Sequence, residues 1–300
     1  MKLLVIGSAG QLARCLAEKN ESVVEVVTAG RPEVDLKQPD SVRRAIERHE
    51  PAVVVNAAAY TAVDKAESEP DEAFDVNARG AGRIAQCCNA AGIPLIHIST
   101  DYVFDGSSSR AYVETDSTHP LGVYGQSKLA GEEEVAAGTA RHVILRTSWV
   151  FSPFGSNFVK TMLRLAETRD EIAVVDDQIG GPTYAPDLAD VILAIAPRLP
   201  DAAAGSELFG VFHAAGHGEI SWCGLAREIF RLEAAAGRKA PLVKPIATSA
   251  YPTPARRPAN SRLDCSRLDR VFGLRLPPWP DGLARCLERL QRDGRHPATA

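Results

Sequence analysis

The amino-acid sequence predicts an α/β protein built on a doubly wound parallel sheet. Three observations carry that expectation. Short apolar runs at Leu3–Ile6, Val53–Val55 and Leu95–Ile98 lack period-two alternation, as strands covered by helices on both faces do. Helical patterns separate these runs, which is the βαβ order of a parallel sheet. The first run ends in Gly7-Ser8-Ala9-Gly10-Gln11-Leu12-Ala13, a tight glycine turn entering a helix, where the helix N-terminus favours a pyrophosphate. The resulting expectation is a Rossmann-like dinucleotide-binding domain over residues 1–150, with later contributions from about 183–216. A smaller, mainly substrate-binding C-terminal domain follows over 151–293, then a tail over 294–300.

Composition bounds the function. A chain of 300 residues suffices for one large or two small α/β domains. Its 45% hydrophobic and 24% charged residues are ordinary for a soluble globular protein. A net charge of -4 without a long basic run argues against a nucleic-acid partner. No apolar stretch reaches the roughly 18 residues of a membrane span, and Met1–Gly7 is too short for a signal-peptide core. Cys15, Cys87, Cys88, Cys223, Cys265 and Cys286 show no zinc or redox spacing, which suits reduced thiols in a cytoplasmic protein.

The elements follow in order. The first turn is spaced GxxGxxA, with Gly7 and Gly10 giving the backbone close access to a phosphate and Ala13 still small enough for helix–strand packing. A second strand covers Val23–Val27. NAD-binding folds carry an acid near its end, but here Thr28-Ala29-Gly30-Arg31 follows. Arg31 is either an ordinary surface arginine or the partner of a 2′-phosphate, so NADPH is favoured over NADH. Asp35 is placed to hydrogen-bond the adenine edge, and Asp40 or Ser41 opens the next helix. After the third strand, Val53–Asn56, the small residues Ala57-Ala58-Ala59 leave room for a cofactor lying across the strand ends. A long helix is expected over about Asp71–Ala91, with Asn77 inside it as either a brace for the site or a solvated position.

The strand Pro94–Ile98 brings Thr100 and Asp101 to its carboxyl end, where open α/β sheets bind ligands. Tyr124 and Lys128 lie four apart in a helix-forming stretch and share a face. An ammonium beside a phenol stabilises phenolate and would draw the tyrosine pKa from about 10 towards neutrality. Such a tyrosine exchanges a proton with a carbonyl or alcohol, and the Thr100 hydroxyl could hold the same oxygen. Tyr–Lys pairs at this spacing also arise by chance; the motifs upstream give this one its weight.

In the second half, Ser152–Phe158 is a loop entering a helix. Asn157 there is either a substrate contact or the helix cap, a role Ser156 fills equally well. Ile172–Val175 reads as a strand. Gln178–Thr183 reads as a constrained turn whose paired glycines would allow unusual backbone angles. A helix from Asp187 to about Ala196, a strand at Val211–Gly216 returning to the sheet, a helix capped by Ser221, and a terminal helix over Leu283–Leu290 complete the expected elements. Pro241–Pro258 suits an extended lid wall, and Arg256 or Arg257 within it could pair a diphosphate bidentately. His97 and His213 read as core histidines; the other five histidines have no ligand spacing.

Taken together, the glycine turn, Ser99-Thr100-Asp101-Tyr102-Val103-Phe104-Asp105-Gly106 and Tyr124-Gly-Gln-Ser-Lys128 resemble the extended short-chain dehydrogenase/reductases. Gly10-Gln11-Leu12 and the run Tyr124–Glu132 narrow the resemblance to the dTDP-4-dehydrorhamnose reductase family. Arg146–Phe151, Asp177-Gln178-xx-Gly181-Pro182-Thr183 and Arg257-Pro258-xx-Ser261-Arg262-Leu263-Asp264 agree, so the resemblance runs from Met1 to about Arg292. It implies that NADPH reduces the C4 ketone of dTDP-4-dehydro-6-deoxy-L-mannose to dTDP-L-rhamnose, the last step of dTDP-rhamnose biosynthesis. It places the catalytic groups at Tyr124, Lys128 and Thr100, and substrate contacts at Asp101, Trp149 and Arg257. The cofactor positions fall on Gly10, Gln11, Leu12, Asp35, Leu36, Ala59, Tyr60 and Thr61, with Lys128 also holding the nicotinamide ribose.

Some family members use magnesium with an acidic residue just inside the first helix. Ala13-Arg14-Cys15 offers none, so neither that metal nor a dimer built on it is expected, and the chain is read as a monomer or homodimer. Related proteins serve as non-catalytic NADP-binding regulatory subunits of methionine adenosyltransferase, and others reduce different nucleotide-keto-sugars. The intact set of Thr100, Tyr124, Lys128 and Trp149 favours the enzyme.

Overall fold

The computed structural model describes residues 1–19, 24–38 and 40–294. Its first half alternates strand and helix: β1 Lys2–Ile6, α1 Gln11–Glu18, β2 Glu25–Ala29, α2 Ser41–His49 and β3 Val53–Asn56. Next come α3 Val63–Ala66, α4 Pro70–Phe74 and α5 Gly80–Ala90, the last two joined by a π-helical turn at Asp75–Arg79. Then follow β4 Leu95–Thr100, α6 Val123–Gly138 and β5 His142–Thr147. The second half contains β6 Val150–Phe151, α7 Phe158–Thr168, β7 Glu171–Val175, β8 Ile179–Gly180, β9 Thr183–Tyr184, α8 Ala185–Ile195 and β10 Gly210–His213. It ends with β11 Ile220–Ser221, α9 Trp222–Ala235, β12 Leu242–Ile246, β13 Asn260–Ser261, α10 Ser266–Phe272 and α11 Trp279–Arg292.

Six strands form one sheet in the order β10-β5-β4-β3-β1-β2, every neighbouring pair parallel. Alternate residues of each strand enter different cores, which explains the unbroken apolar runs. Leu3, Val5, Val53 and Val55 pack with Leu12 and Leu16 of α1 and with Leu188 and Ile192 of α8. Leu4, Ile6 and Val54 pack on the other face with Val42 and Ile46 of α2 and Ile84 of α5. The strand order reverses between β1 and β3, so the ligand crevice of a doubly wound sheet lies at the carboxyl ends of these two strands. A separate apolar cluster joins α7, α9 and α11 through Val159, Leu163, Ile229, Phe230, Leu283 and Leu287.

Several expectations shift. β2 starts at Glu25 and runs to Ala29, and Val23 lies outside the described residues. The long helix at 71–91 is interrupted by its π turn. Helix α8 starts at Ala185 with Pro186 in its first turn, a position where a missing N–H costs nothing, so Asp187 sits inside it. Pro241–Pro258 is not extended throughout: Leu242–Ile246 pairs in parallel with β7, and a 3₁₀ turn follows at Thr248–Ala250. Gly180 and Gly181 are absent from the positive-φ residues. Gly180 is required for space instead, since a Cβ there would lie 2.5 Å from Trp149 Cε2. Ser221 does cap α9, its Oγ accepting from Gly224 N at 2.9 Å.

Candidate active site

The glycine turn sits in the β1/β3 crevice. Gly7 adopts φ 109°, a region that disfavours any side chain, and an added Cβ would lie 3.2 Å from Ala58 N. A cavity of about 310 Å³ opens over this turn. Of the expected cofactor residues, Gly7, Gly10, Arg31, Asp35, Leu36 and Ala59 line it, and Lys37 and Glu72 pair across its rim. Tyr60 and Thr61 continue the segment that carries Ala59. Leu12 is buried in the core beneath the turn. Gln11 is occupied differently: its Oε1 accepts from Ser152 Oγ at 2.8 Å and Asn157 Nδ2 at 2.9 Å. Asp35 Oδ1 accepts from Lys37 N at 3.0 Å.

The proton-transfer cluster is assembled on helix α6. Asn77, in the π turn, accepts from Tyr60 N at 2.8 Å and donates to Tyr60 O at 3.0 Å and Ser127 Oγ at 2.9 Å. It therefore braces the segment after β3 against α6. Two glycines let α6 approach so closely: a Cβ on Gly131 would collide with Asn77 O, and one on Gly125 with Tyr102 O. Glu67 Oε1 accepts from Val123 N at 2.9 Å and ties down the start of the helix. Lys128 is buried, its Nζ donating to Ile98 O at 2.7 Å and lying 3.4 Å from His97 Nε2. The Tyr124 ring meets Tyr102 edge-on, with centroids 5.6 Å apart. Thr100 Oγ1 donates to Asp101 Oδ1 at 3.0 Å and accepts from Tyr102 N at 3.2 Å.

The electrostatics correct the sequence reading of Tyr124. Burial pushes its phenol up to about 12, with its hydrogen bond to Thr100 opposing and the Asp101 charge adding to the rise. Burial lowers Lys128 to about 8, with Glu132 opposing. Lys128 is thus spent on the Ile98 carbonyl rather than on stabilising phenolate, and Tyr124 stays a neutral donor at physiological pH. That is the form a proton-giving step requires.

Asp101 is buried, its Oδ2 has no hydrogen-bond partner among the described residues, and burial raises it to about 6, with Ser261 and Thr100 opposing. The folded state holds this proton more tightly than the unfolded chain, so stability falls as pH rises from about 4 through 6. Asp101→Asn is therefore expected to stabilise the fold at pH 7.5, on the order of 1–3 kcal/mol, and hardly at all near pH 3.5. Thermal melts at the two pH values check this; an equal effect at both would refute it.

On the second-half side, the Trp149 ring stacks on Trp222 with centroids 3.5 Å apart, and Trp149 itself takes φ 48°. Trp222 also lines a cavity of about 470 Å³ with Phe158, Met162, Gln178, Tyr251 and Arg257. Arg257 pairs with Asp64 Oδ2 at 2.8 Å, linking the cavity wall to α3. Asn157 caps α7, accepting from Lys160 N at 3.1 Å. Arg256 is exposed. Sequence reasoning missed Trp222, the His97–Asn56 contact, and the buried pair of Glu132 with Arg146. Its Nη2–Oε2 distance is 2.6 Å, and Ser99 Oγ donates to Glu132 Oε1 at 2.5 Å. An arginine within an otherwise apolar strand was the available signal for that pair.

The magnesium of some family members does not fit this chain. Where an acid would be needed, the Arg14 guanidinium lies 4.0 Å from the Phe154 ring centre. Nearby carboxylates are already neutralised: Glu18 by Arg289 at 2.6 Å, and Asp190 by Lys19. Among the described residues, no group of three or more His, Cys, Asp or Glu side chains is arranged to hold a metal ion.

A doubly wound parallel sheet, a glycine turn at its switch point, and a Tyr–Lys pair on the helix after β4 define an extended short-chain dehydrogenase/reductase. Comparisons with known proteins narrow this. The family model described as the RmlD substrate binding domain matches residues 1–292. A dTDP-4-dehydrorhamnose reductase of Sinorhizobium fredii is 48% identical over 98% of this chain and 99% of its own. A Clostridium acetobutylicum crystal structure of a dTDP-4-dehydrorhamnose reductase superposes with TM-score 0.89 at 37% identity, covering 97% of this chain and all of the other (100%). A Bacillus anthracis dTDP-4-dehydrorhamnose reductase, solved in complex with NADP, superposes with TM-score 0.87 at 35% identity over 96% of this chain and 99% of that one. The chain belongs to the dTDP-4-dehydrorhamnose reductase family.

Proposed function

We propose that this protein uses NADPH to reduce the C4 ketone of dTDP-4-dehydro-6-deoxy-L-mannose, forming dTDP-L-rhamnose. The observation that carries the reading is that Tyr124 hydrogen-bonds with Thr100 at the carboxyl end of β4, where Lys128 also donates to Ile98 O at 2.7 Å, beside the crevice that holds the glycine turn. NADPH supplies the hydride. Gly7, Gly10 and the first turn of α1, including Gln11 and Leu12, receive its pyrophosphate. Asp35 and Leu36 lie along the adenosine side, with Arg31 at the 2′-phosphate. Ala59, Tyr60 and Thr61 line the way to the nicotinamide, whose ribose Lys128 holds.

Thr100 donates to the substrate C4 oxygen, and Tyr124 gives that oxygen its proton as the hydride arrives, so an alcohol forms with no free alkoxide. The single Thr100 hydroxyl hydrogen goes to Asp101 Oδ1 at 3.0 Å, and it turns from there to the C4 oxygen when substrate binds. The stacked Trp149–Trp222 pair offers an apolar surface to the sugar. Arg257 takes the diphosphate, and Asn157 supports that side through Gln11 and the α7 cap. The substrate half is drawn mainly from residues 151–293, with 183–216 returning to the sheet domain.

No helix among the described residues is long and apolar enough to cross a membrane. The free cysteines suit a cytoplasmic enzyme, and we read it as a monomer or homodimer. The deciding assay follows nicotinamide absorbance with NADPH and freshly generated dTDP-4-dehydro-6-deoxy-L-mannose. Turnover is expected. NADPH binding without turnover would instead favour another nucleotide-keto-sugar or a regulatory NADP-binding subunit.

A further inference from the structure

Behind Lys128 lies a buried chain of polar groups that the mechanism above leaves unused. Ala58 N lies 3.2 Å from Asn56 Oδ1, and Asn56 Nδ2 lies 3.0 Å from His97 Nδ1. His97 Nε2 is then 3.4 Å from Lys128 Nζ, which donates to Ile98 O at 2.7 Å. Asn56 and His97 are each 1% exposed, so no solvent can repair a mismatched contact.

The direction of this chain is dictated at one end. A backbone N–H can only donate, so the oxygen of Asn56 faces Ala58 and its NH₂ faces the imidazole. His97 Nδ1 must therefore accept. Burial and the Lys128 charge hold the ring neutral, its pKa well below the usual histidine value. A neutral imidazole whose Nδ1 accepts carries its hydrogen on Nε2, and that N–H points at Lys128. An amine can accept it through its lone pair; an ammonium has no acceptor to offer.

We infer that His97 and Asn56 are positioning residues forming a hydrogen-bond relay of fixed direction, which favours the neutral form of Lys128 and so sets where that lysine titrates. The inference rests on the reductase reading only in supposing that Lys128 serves the reaction. The 3.4 Å separation agrees with a donor facing a donor when the lysine is charged. The other titratable groups around Lys128 do not reproduce the effect. Glu132, one turn further on α6, favours the charge and is itself engaged by Arg146 of β5. Tyr124, one turn back, is neutral up to about 12. Asp101 lies beyond the end of β4, and His142 of β5 acts on His97 in the same sense as Lys128 does. The π turn presents the uncharged Asn77.

The relay can be reversed by one atom. In Asn56→Asp the carboxylate still accepts from Ala58 N but can no longer donate to the ring. The hydrogen moves to Nδ1, and Nε2 becomes an acceptor facing the ammonium. The alkaline limb of the kcat/KM profile for NADPH-dependent reduction is expected to move up by about one pH unit or more. The ε-carbon NMR titration of Lys128 in labelled protein, which needs no substrate, should move with it.

His97→Leu alone removes the opposing N–H and should also raise the Lys128 titration, by less. In that background Asn56→Asp should add little. Unchanged titrations in both single variants, or an Asn56→Asp shift that persists undiminished in His97→Leu, would overturn the relay. Normal wild-type turnover with an unmoved Lys128 titration sinks the relay and leaves the reductase reading standing. A moved titration in a protein without turnover does the reverse.

Discussion

A Tyr124→Phe protein is expected to bind NADPH as the wild type does and to turn over at least about a hundred-fold more slowly. The substitution removes one oxygen and keeps the ring that packs edge-on against Tyr102 at 5.6 Å. Helix α6 loses none of its anchors, because Glu67, Asn77 and the Ile98 carbonyl hold Val123, Ser127 and Lys128. What disappears is the proton donor at the ketone oxygen. Since that interaction matters only as the alcohol forms, kcat and kcat/KM should fall together while KM changes little. The wild-type phenol, raised to about 12, contributes no limb to the pH profile in the ordinary range. The alkaline limb is instead expected to follow Lys128, which burial lowers to about 8: activity should hold below that pH and decline above it as the ammonium is lost. Steady-state kinetics of the variant, with NADPH binding followed by fluorescence, test both statements. Wild-type turnover in Tyr124→Phe would place the proton elsewhere.

Removing Glu132 should cost more stability than any other single truncation in the site. Glu132 and Arg146 are 5% and 4% exposed, and Arg146 engages both carboxylate oxygens through Nε and Nη2, with Ser99 adding a further hydrogen bond to Oε1. In Glu132→Ala the Arg146 guanidinium stays buried between β5 and α6 with its carboxylate removed, while its Nη1 already lacks a hydrogen-bond partner among the described residues. Breaking a buried pair from one side typically costs roughly 3–5 kcal/mol. Glu132→Gln keeps an acceptor for Ser99 and part of the Arg146 contact, so its loss should be smaller. Denaturant unfolding of the two variants, compared at similar slope, measures the difference. A loss below about 1 kcal/mol for the alanine variant would mean that water reaches Arg146.

What was legible in the sequence is what local pattern encodes. Val53–Asn56 was readable to the residue, because a strand buried on both faces leaves an apolar run with sharp ends. The Tyr124–Lys128 face followed from helical spacing alone, and the glycine turn from the steric demand at Gly7. The state of Tyr124 was not legible. Its pKa depends on how deeply the ring is buried and on which acceptor Lys128 finds, and Ile98 O comes from a strand distant in sequence. The Trp149–Trp222 stack and the Arg257–Asp64 pair likewise join segments that no local window contains. Gly180 read as a source of unusual angles, whereas its need is for room beneath an indole ring. Asn157 had two open roles, and the side chain does serve as a cap.

The π turn at Asp75–Arg79 bears on how the chain tolerates changes in length. Bonding each N–H one residue further back, such a turn carries one residue more than an α-turn would. Deleting a single residue there would heal the helix rather than break it. Asn77 would swing by about 100° away from Tyr60 and Ser127, so the brace would vanish while helix content stayed the same. Insertions and deletions are usually weighed by whether they fall in a loop. Here a position sensitive to losing one residue lies inside a helix, and the damage would leave helix content unchanged.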